Sequence, residues 1–259
     1  MKIIIDGQEC QAEHGEFIFE VAKRNNIKIP SLCHDEALPG QACCRICIVE
    51  VIENNWSKVV TSCVYPITKE IEVITNSEKI MNMRRMIIML LEARTSESDP
   101  IEKLVKEYEV APITRFISGD KEKCILCNLC VSACDILGTS AISTVNRGIM
   151  KKVATPYDEA AVSCIGCGAC ANVCPTGAIE VSEKDGKKII WNKEFELIKC
   201  GRCGENLATR EQMDYLDQKL AVKLKEYGDD FLCDDCKRQT RAEQLKGHNP
   251  YRCSIILKR

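Results

Sequence analysis

The chain has 259 residues, with 36 lysines and arginines against 38 aspartates and glutamates, a formal net charge of −2. That length calls for two or more compact units, and so near a balance of charge provides no field to hold nucleic acid or an anionic membrane. Aromatic residues make up only 5%, which argues against single-strand binding by base stacking.

The N-terminus MKIIIDGQEC reaches Asp6-Gly7 after three isoleucines, too short for the apolar region of a signal peptide. Lys2–Ile5 reads as a short apolar strand, Asp6-Gly7 as a two-residue hairpin turn and Gln8–Gln11 as the returning strand. Residues 16–25 place Phe17, Val21 and Ala22 at helical spacing. Ile48–Glu53, residues 58–61 and residues 70–74 read as further strands, with Asn54-Asn55 turning the first into the second. Strand, hairpin, helix and more strands is the order of a β-grasp fold.

From Thr75 the period changes. Thr75 and Glu78 suggest a capping box, and Ile80, Met83, Ile87, Leu90 and Leu91 share one helical face. Residues 80–91 form the most apolar helical run, but they carry Arg84 and Arg85 and fall short of a membrane span. The four methionines in this run fit core packing better than a soft-metal site. Asp99-Pro100 opens a second helix as N-cap and first position, with Ile101, Leu104, Val105 and Tyr108 as its buried stripe. These two helices read as a connector that carries no chemistry.

Nineteen cysteines are far more than packing needs. Without a secretion signal the expected setting is the reducing cytoplasm, where patterned cysteines bind metal rather than pair as disulfides. Cys124-x2-Cys127-x2-Cys130-x3-Cys134 is repeated as Cys164-x2-Cys167-x2-Cys170-x3-Cys174-Pro175. Two residues between successive cysteines let a tight loop present three thiolates to one iron–sulfur cube. The fourth cysteine lies on the next helical turn and ligates the partner cluster. One [4Fe–4S] cluster is therefore expected on Cys124, Cys127, Cys130 and Cys174, and a second on Cys164, Cys167, Cys170 and Cys134. Gly166 and Gly168 leave room for backbone amides to approach the cluster sulfurs. Asp135 stands where the bacterial run has proline, and reads as a solvated or helix-capping carboxylate rather than an extra ligand.

Cys33, Cys44, Cys47 and Cys63 are spaced C-x10-C-x2-C-x15-C, a longer first gap than the plant-type [2Fe–2S] pattern. Their surroundings, IPSLCHDE, ACCRICIVEV and TSCVYP, resemble the [2Fe–2S] domain of the large iron–sulfur subunit of respiratory complex I and of iron-only hydrogenases. RFISGDKEKCILCNLCVSAC, TSAISTVNRG and the second cysteine run resemble the two-cluster domain of the same family, so the likeness covers roughly residues 1–185. It implies a [2Fe–2S] cluster on Cys33, Cys44, Cys47 and Cys63, with Cys43 in a slot where relatives have a small residue and facing away from the iron. The family often carries, between these domains, a cluster held by three cysteines and a histidine, but residues 92–115 have neither residue type. That cluster should be absent. His34 neighbours a ligand cysteine but suits solvent or a backbone contact better than iron, and His14 and His248 read as surface residues.

The tail has two CxxC pairs, Cys200-Gly-Arg-Cys203 and Cys233-Asp-Asp-Cys236, flanking an amphipathic helix over residues 205–227 that Gly228 closes. Four thiolates from two knuckles suit a tetrahedral structural zinc ion. A further iron–sulfur cluster is the alternative, and a redox-active dithiol pair a third. Cys10, Cys43 and Cys253 remain as spare thiols.

The expected fold class is α+β, in four parts: a β-grasp [2Fe–2S] ferredoxin domain (1–76), a helical connector (77–115), a bacterial-type 2×[4Fe–4S] ferredoxin domain (116–190) and a small zinc-knuckle-like tail with four cysteine ligands (191–259). The resemblance implies an electron-transfer subunit of an oxidoreductase complex, similar to small iron–sulfur subunits of flavin-based hydrogenase, formate dehydrogenase and transhydrogenase complexes. Its expected partners are a flavin- and nicotinamide-binding subunit on one side and ferredoxin or a hydrogenase or dehydrogenase subunit on the other, with no nucleic acid and no membrane. No Rossmann fingerprint, P-loop or Ser/His/Asp arrangement stands in the sequence, so no catalytic residue of its own is expected. Two other readings compete. An iron–sulfur redox sensor with a nucleic-acid-binding zinc module needs a basic patch, and Lys237, Arg238, Arg241 and Lys246 follow a helix with acidic residues mixed through it. A self-contained reductase needs a substrate pocket.

Overall fold

Ile3 and Ile5 are buried while Lys2 and Ile4 face outward, so Lys2–Ile5 (β1) is a half-buried strand with one face on the core. The computed structural model describes residues 1–53, 56–95, 97–111, 122–220 and 231–246. The Asn54-Asn55 turn, Gly228, His248 and Cys253 lie outside the described residues.

Asp6 and Gly7 both take positive φ, 49° and 82°, which is the twist a two-residue hairpin needs. Gln8–Gln11 (β2) returns antiparallel, with Ile3 opposite Cys10. Glu72–Ile74 (β5) runs parallel to β1, and Ile48–Glu53 (β3) pairs antiparallel with both β5 and Trp56–Thr61 (β4). The resulting sheet has the order β2-β1-β5-β3-β4. Ile18–Arg24 (α1) lays Ile18, Val21 and Ala22 on a core with Ile3, Ile5, Val49, Val51 and Val73. The Asp6 carboxylate accepts hydrogen bonds from the Thr75 amide (2.8 Å) and hydroxyl (2.5 Å), tying the first hairpin to the end of the last strand.

Thr75 is thereby unavailable as a helix cap, contrary to the sequence expectation. Ser77 caps Glu78–Arg94 (α2) instead, its hydroxyl accepting from the Ile80 amide at 3.3 Å. The buried side chains of α2 are Ile80, Arg84, Ile88 and Ala93, whereas Met83 and Leu90 are exposed. The apolar stripe is thus rotated from the one the spacing predicts, because an arginine occupies the inner face. Ser98 stands at the N-cap position of Asp99–Glu107 (α3), one residue earlier than predicted. Beneath α2 and α3 lies a second core of Ile46, Ile101, Ile125 and Leu129, with Ile87, Leu91 and Leu104 packed on it. Leu129–Leu137 (α4) packs on the single-turn helix Ala169–Asn172 (α5), and Ser143–Val145 (β6) pairs with Lys152–Ala154 (β7).

These elements belong to one compact unit, residues 1–163 and 168–180; residues 164–167 and 181–259 form another. In the second, Ser182–Lys184 (β8), Lys187–Ile190 (β9), Lys193–Lys199 (β10) and Asn206–Thr209 (β11) make an antiparallel sheet of order β11-β10-β9-β8. Two turns with paired positive φ, Asp185-Gly186 and Trp191-Asn192, connect the first three strands. Arg210–Leu220 (α6) and Asp234–Lys246 (α7) follow. The helix predicted from residue 205 therefore begins at Arg210, since residues 206–209 are drawn into the sheet.

Candidate iron–sulfur and metal centres

Cys33, Cys44, Cys47 and Cys63 are all buried, none more than 3% exposed. Cys47 enters β3, and Cys63 sits in the 3-10 turn Ser62–Val64 that ends β4. Strand pairing brings the two together, with their sulfurs 3.3 Å apart. The Ser62 hydroxyl and amide both donate to the Cys47 carbonyl, at 2.8 and 3.1 Å. The long loop that carries Cys33 and Cys44 folds back through Ala42 and Arg45, both at positive φ. It passes so close to Cys63 that a Cβ on Gly40 would stand 2.9 Å from Val64 and 3.0 Å from the Cys63 carbonyl. The Cys44 amide donates to the Cys33 sulfur at 3.3 Å.

Within each sulfur pair the two thiols are driven in opposite directions. The hydrogen bond from Cys33 holds Cys44 down to about 6 and pushes Cys33 up, and the bond from Cys63 holds Cys47 down to about 7 and pushes Cys63 up. Four buried sulfurs, three of them with backbone amides aimed at them, fit an iron–sulfur group, whose iron takes the place of the shared protons. Cys43 is exposed, its thiol bonded to the Gln41 carbonyl at 3.4 Å and approached by the Asn128 amide at 3.8 Å. His34 pairs with Glu20 at 2.8 Å and packs on the Phe19 ring. His14 and Asp135 are exposed.

In the paired cysteine runs, Leu126 and Asn128 have φ of 54° and 65°, and their counterparts forty residues on, Gly166 and Gly168, have 68° and 77°. The loop requires this left-handed geometry in both copies. Glycine supplies it without strain in the second run only. At Gly166 the space is moreover filled from the side: a Cβ would stand 2.6 Å from the Phe195 ring. The Leu126 amide donates to the Cys124 sulfur at 3.4 Å. Burial pushes Cys127 up to about 11 and Cys130 to about 12. The negative charge of Cys174 adds to the upward push on Cys124, Cys127 and Cys130.

Spacing did not reveal the residues that hold the fourth cysteines. The Ala141 amide donates to the Cys134 sulfur at 3.2 Å, and the Ala178 amide to the Cys174 sulfur at 3.3 Å. Thr139 and Thr176 hydroxyls lie 3.1 and 3.6 Å from the same two sulfurs. The signal was present as TSAI (139–142) and TGAI (176–179), each following its cysteine. Cys170 is buried on α5 in the larger unit. Cys164 and Cys167 fall in the smaller one, where Lys193 donates to the Cys164 carbonyl at 2.7 Å and Thr209 to the Ile165 carbonyl.

Two of the cysteine groups share a core. Cys33 and Cys44 are packed in one buried cluster with Ile46, Ile101, Ile125, Cys127 and Leu129. The charge of Cys44 is among those felt at Cys127.

The four C-terminal sulfurs, of Cys200, Cys203, Cys233 and Cys236, all lie within 4.8 Å of one another. Among the described residues no other group of His, Cys, Asp and Glu is gathered so tightly. A tetrahedral ion with bonds of ~2.3 Å to sulfur spans such a set. Amides point inward again: Cys233 to the Cys200 sulfur at 3.3 Å and Cys236 to that of Cys233 at 3.4 Å. The Cys203 and Cys233 amides hold Cys200 down to about 6, whereas burial pushes Cys236 up to about 12. Gly204, at φ 78°, makes the knuckle turn, returning its amide to the Cys200 carbonyl at 2.9 Å. No disulfide joins the described cysteines.

Residues 1–78 match the 2Fe-2S iron-sulfur cluster binding domain. Residues 118–181 match a 4Fe-4S dicluster domain, and residues 163–208 match a second family of that description. The chain is 32% identical over 211 residues, 69% of its length, to NADP-reducing hydrogenase subunit HndD of Solidesulfovibrio fructosivorans. It is 28% identical over 230 residues (79% of its length) to a subunit of an NADH-quinone oxidoreductase of Rhizobium meliloti. It is also 28% identical over 203 residues (69%) to the alpha subunit of an NADPH-Fe(3+) oxidoreductase of Geobacter sulfurreducens. It spans only 36%, 27% and 24% of the length of these relatives. A chain from the crystal structure of an NAD+-reducing [NiFe]-hydrogenase in the H2-reduced state shares the fold, with a TM-score of 0.53 at 22% identity, over 60% of this chain and 74% of that one. The chain is thus an iron–sulfur protein of mixed α/β fold that joins a [2Fe–2S] binding domain to a [4Fe–4S] dicluster domain, homologous to subunits of a hydrogenase and of NAD(P)H oxidoreductases.

Proposed function

We propose that the chain is the electron-carrying iron–sulfur subunit of a multi-subunit, NAD(P)-linked oxidoreductase in the cytoplasm. Its partners are a flavin- and nicotinamide-binding subunit and a second redox subunit or ferredoxin. The observation that carries this reading is the shared core: Cys33 and Cys44 are packed with Cys127 in one buried cluster, so two cysteine groups adjoin through buried side chains. Bound clusters supply one-electron chemistry. The residues of the chain bury their ligand sulfurs, aim amides at them and hold their spacing. The ligand sets are Cys33, Cys44, Cys47 and Cys63 for a [2Fe–2S] cluster, and Cys124, Cys127, Cys130 and Cys174 for the first [4Fe–4S]. The second [4Fe–4S] set, Cys134, Cys164, Cys167 and Cys170, rests on the spacing alone. Purified by itself without oxygen, the chain should not turn over NADH or NADPH with an acceptor, and should do so only when combined with its nicotinamide-handling subunit. Turnover by the isolated chain would sink this reading.

The C-terminal set is assigned a structural zinc ion, which its tight gathering of four sulfurs favours. A further cluster is the second reading, favoured by the dicluster match that runs through Cys200 and Cys203. Metal content of the purified chain separates the two.

A further inference from the structure

The helix α2 carries a buried cation that packing does not require. Arg84 is 3% exposed, where the periodicity of its neighbours called for an apolar side chain. Its Nε donates to the Ile46 carbonyl at 3.1 Å, and one Nη to the carbonyls of Ile48 (2.8 Å) and Thr75 (3.2 Å). The other Nη faces the Met81 sulfur at 3.7 Å, and the guanidinium lies 5.6 Å from the centre of the Tyr108 ring. All three carbonyl acceptors are neutral. Among the described residues no carboxylate pairs with Arg84, and an uncompensated buried charge is costly.

Two of its acceptors, Ile46 and Ile48, flank Cys47, and Ile46 is one of the two residues between Cys44 and Cys47. Four cysteine thiolates on a [2Fe–2S] core form an anion in both oxidation states, so a cation fixed on this loop finds a counter-charge there, whereas the Asp6 carboxylate is bonded to the Thr75 amide and hydroxyl and not to Arg84. We propose that Arg84 is the counter-charge and positioning residue of the [2Fe–2S] centre: it clamps the Cys44–Cys47 loop and holds the centre's reduction potential up. The proposal rests on the assignment of that cluster to Cys33, Cys44, Cys47 and Cys63. Net charge and hydrogen bonding around the sulfurs are the levers by which a protein sets such a potential. Arginine suits the task because its planar fork can hold several carbonyls while it stays charged.

Arg94 offers an internal contrast. It stands ten residues along the same helix, about 15 Å by the helical rise. It donates to the Cys124 carbonyl at 3.0 Å and the Lys151 carbonyl at 3.0 Å, but it also pairs with Glu122 at 2.8 Å. Glu122 meets part of its charge, and Cys124 feels the rest. The connector helix thus contributes chemistry through its arginines, although its sequence has no metal ligand.

The test is a redox titration of the full chain, loaded without oxygen and followed by electron paramagnetic resonance. Arg84→Gln should lower the midpoint potential of the [2Fe–2S] signal, shifting its electron equilibrium by about tenfold, ~59 mV for a one-electron couple, and leave the [4Fe–4S] potentials in place. Arg84→Lys should restore most of the shift, and Arg94→Gln, about 15 Å away along the helix, should leave the [2Fe–2S] potential in place. An unshifted [2Fe–2S] potential in Arg84→Gln, or one equally low in Arg84→Lys, overturns the proposal. If Arg84→Gln does not take up the cluster, the lysine variant decides. Cluster uptake by Arg84→Lys upholds the need for a cation, and failure of both variants assigns Arg84 a purely structural clamp, which overturns the electrostatic role. Absence of a [2Fe–2S] signal in the unmodified chain refutes the cluster assignment itself, whereas a normal signal with unshifted variants refutes the role of Arg84 alone.

Discussion

Adjacent cysteines in the QACCRIC stretch have opposite surroundings: Cys44 is buried with its amide on the Cys33 sulfur, while the Cys43 thiol is exposed. Cys44→Ser should lose or alter the [2Fe–2S] signal and cost about two irons per chain, and Cys43→Ala should keep both signal and iron. Equal loss in the two variants would contradict the ligand set. Glu53 is tied to two lysines and a tyrosine. Lys69 and Lys58 bond its carboxylate at 2.7 and 2.9 Å, Tyr65 adds a hydrogen bond at 3.0 Å, and together they hold Glu53 down to about 2. A depressed carboxylate stabilises the fold above its unfolded value near ~4.3, and the contribution is lost as pH falls through the folded value. Both lysines are about half exposed, so Glu53→Gln should cost only about 1 kcal/mol. Its Tm deficit should stay constant at neutral pH and narrow only in acid. A deficit that grows in acid would contradict a depressed carboxylate.

At the scale of elements, most of the N-terminal unit is legible in the sequence. Alternation at Ile3 and Ile5, the Asp6-Gly7 turn and the β-rich runs after Cys47 locate β1 to β5 with small errors at their ends. The α2 cap was not legible, because Thr75 and Ser77 are both plausible caps until the sheet brings Asp6 to Thr75. Ser77→Ala should therefore destabilise the chain by about 1 kcal/mol, read as a lowered urea midpoint, and an unchanged midpoint would deny the cap. The tail sheet was missed for another reason. Strands β8 to β10 are rich in lysine and glutamate, and only Ile190, Phe195 and Leu197 are buried along them. That is a weak period-2 signal. The Asn206–Thr209 strand was hidden by the helical pattern that follows it.

For the whole molecule, the candidate sites were more legible than the fold that holds them. Metal-ligand spacing is set by local loop geometry and survives in a linear sequence, as the repeated run from Cys124 and the two CxxC pairs show. What supports the ligands comes from distant residues: the Ser62 bonds to Cys47, the Arg84 fork, and Thr139 and Thr176 beside the fourth cysteines. Those depend on chain folding and carry no fixed spacing. With a structural ion on the C-terminal set, as proposed, a strong chelator should unfold the tail around its small cluster of Cys200, Cys233, Cys236 and two leucines. The [2Fe–2S] signal should persist through this treatment, and a tail that keeps its protease resistance without metal would deny the ion a structural role. All of this depends on the chain holding three iron–sulfur centres on the cysteine sets named above. Iron and zinc content of the anaerobically purified chain, paired with electron paramagnetic resonance of the reduced form, bears on that directly. Three centres and a structural ion require about ten irons and about one zinc, with one [2Fe–2S] and two [4Fe–4S] signals. About fourteen irons without zinc would move the C-terminal set to the clusters, and fewer than about eight irons with no [2Fe–2S] signal would contradict the three-centre assignment.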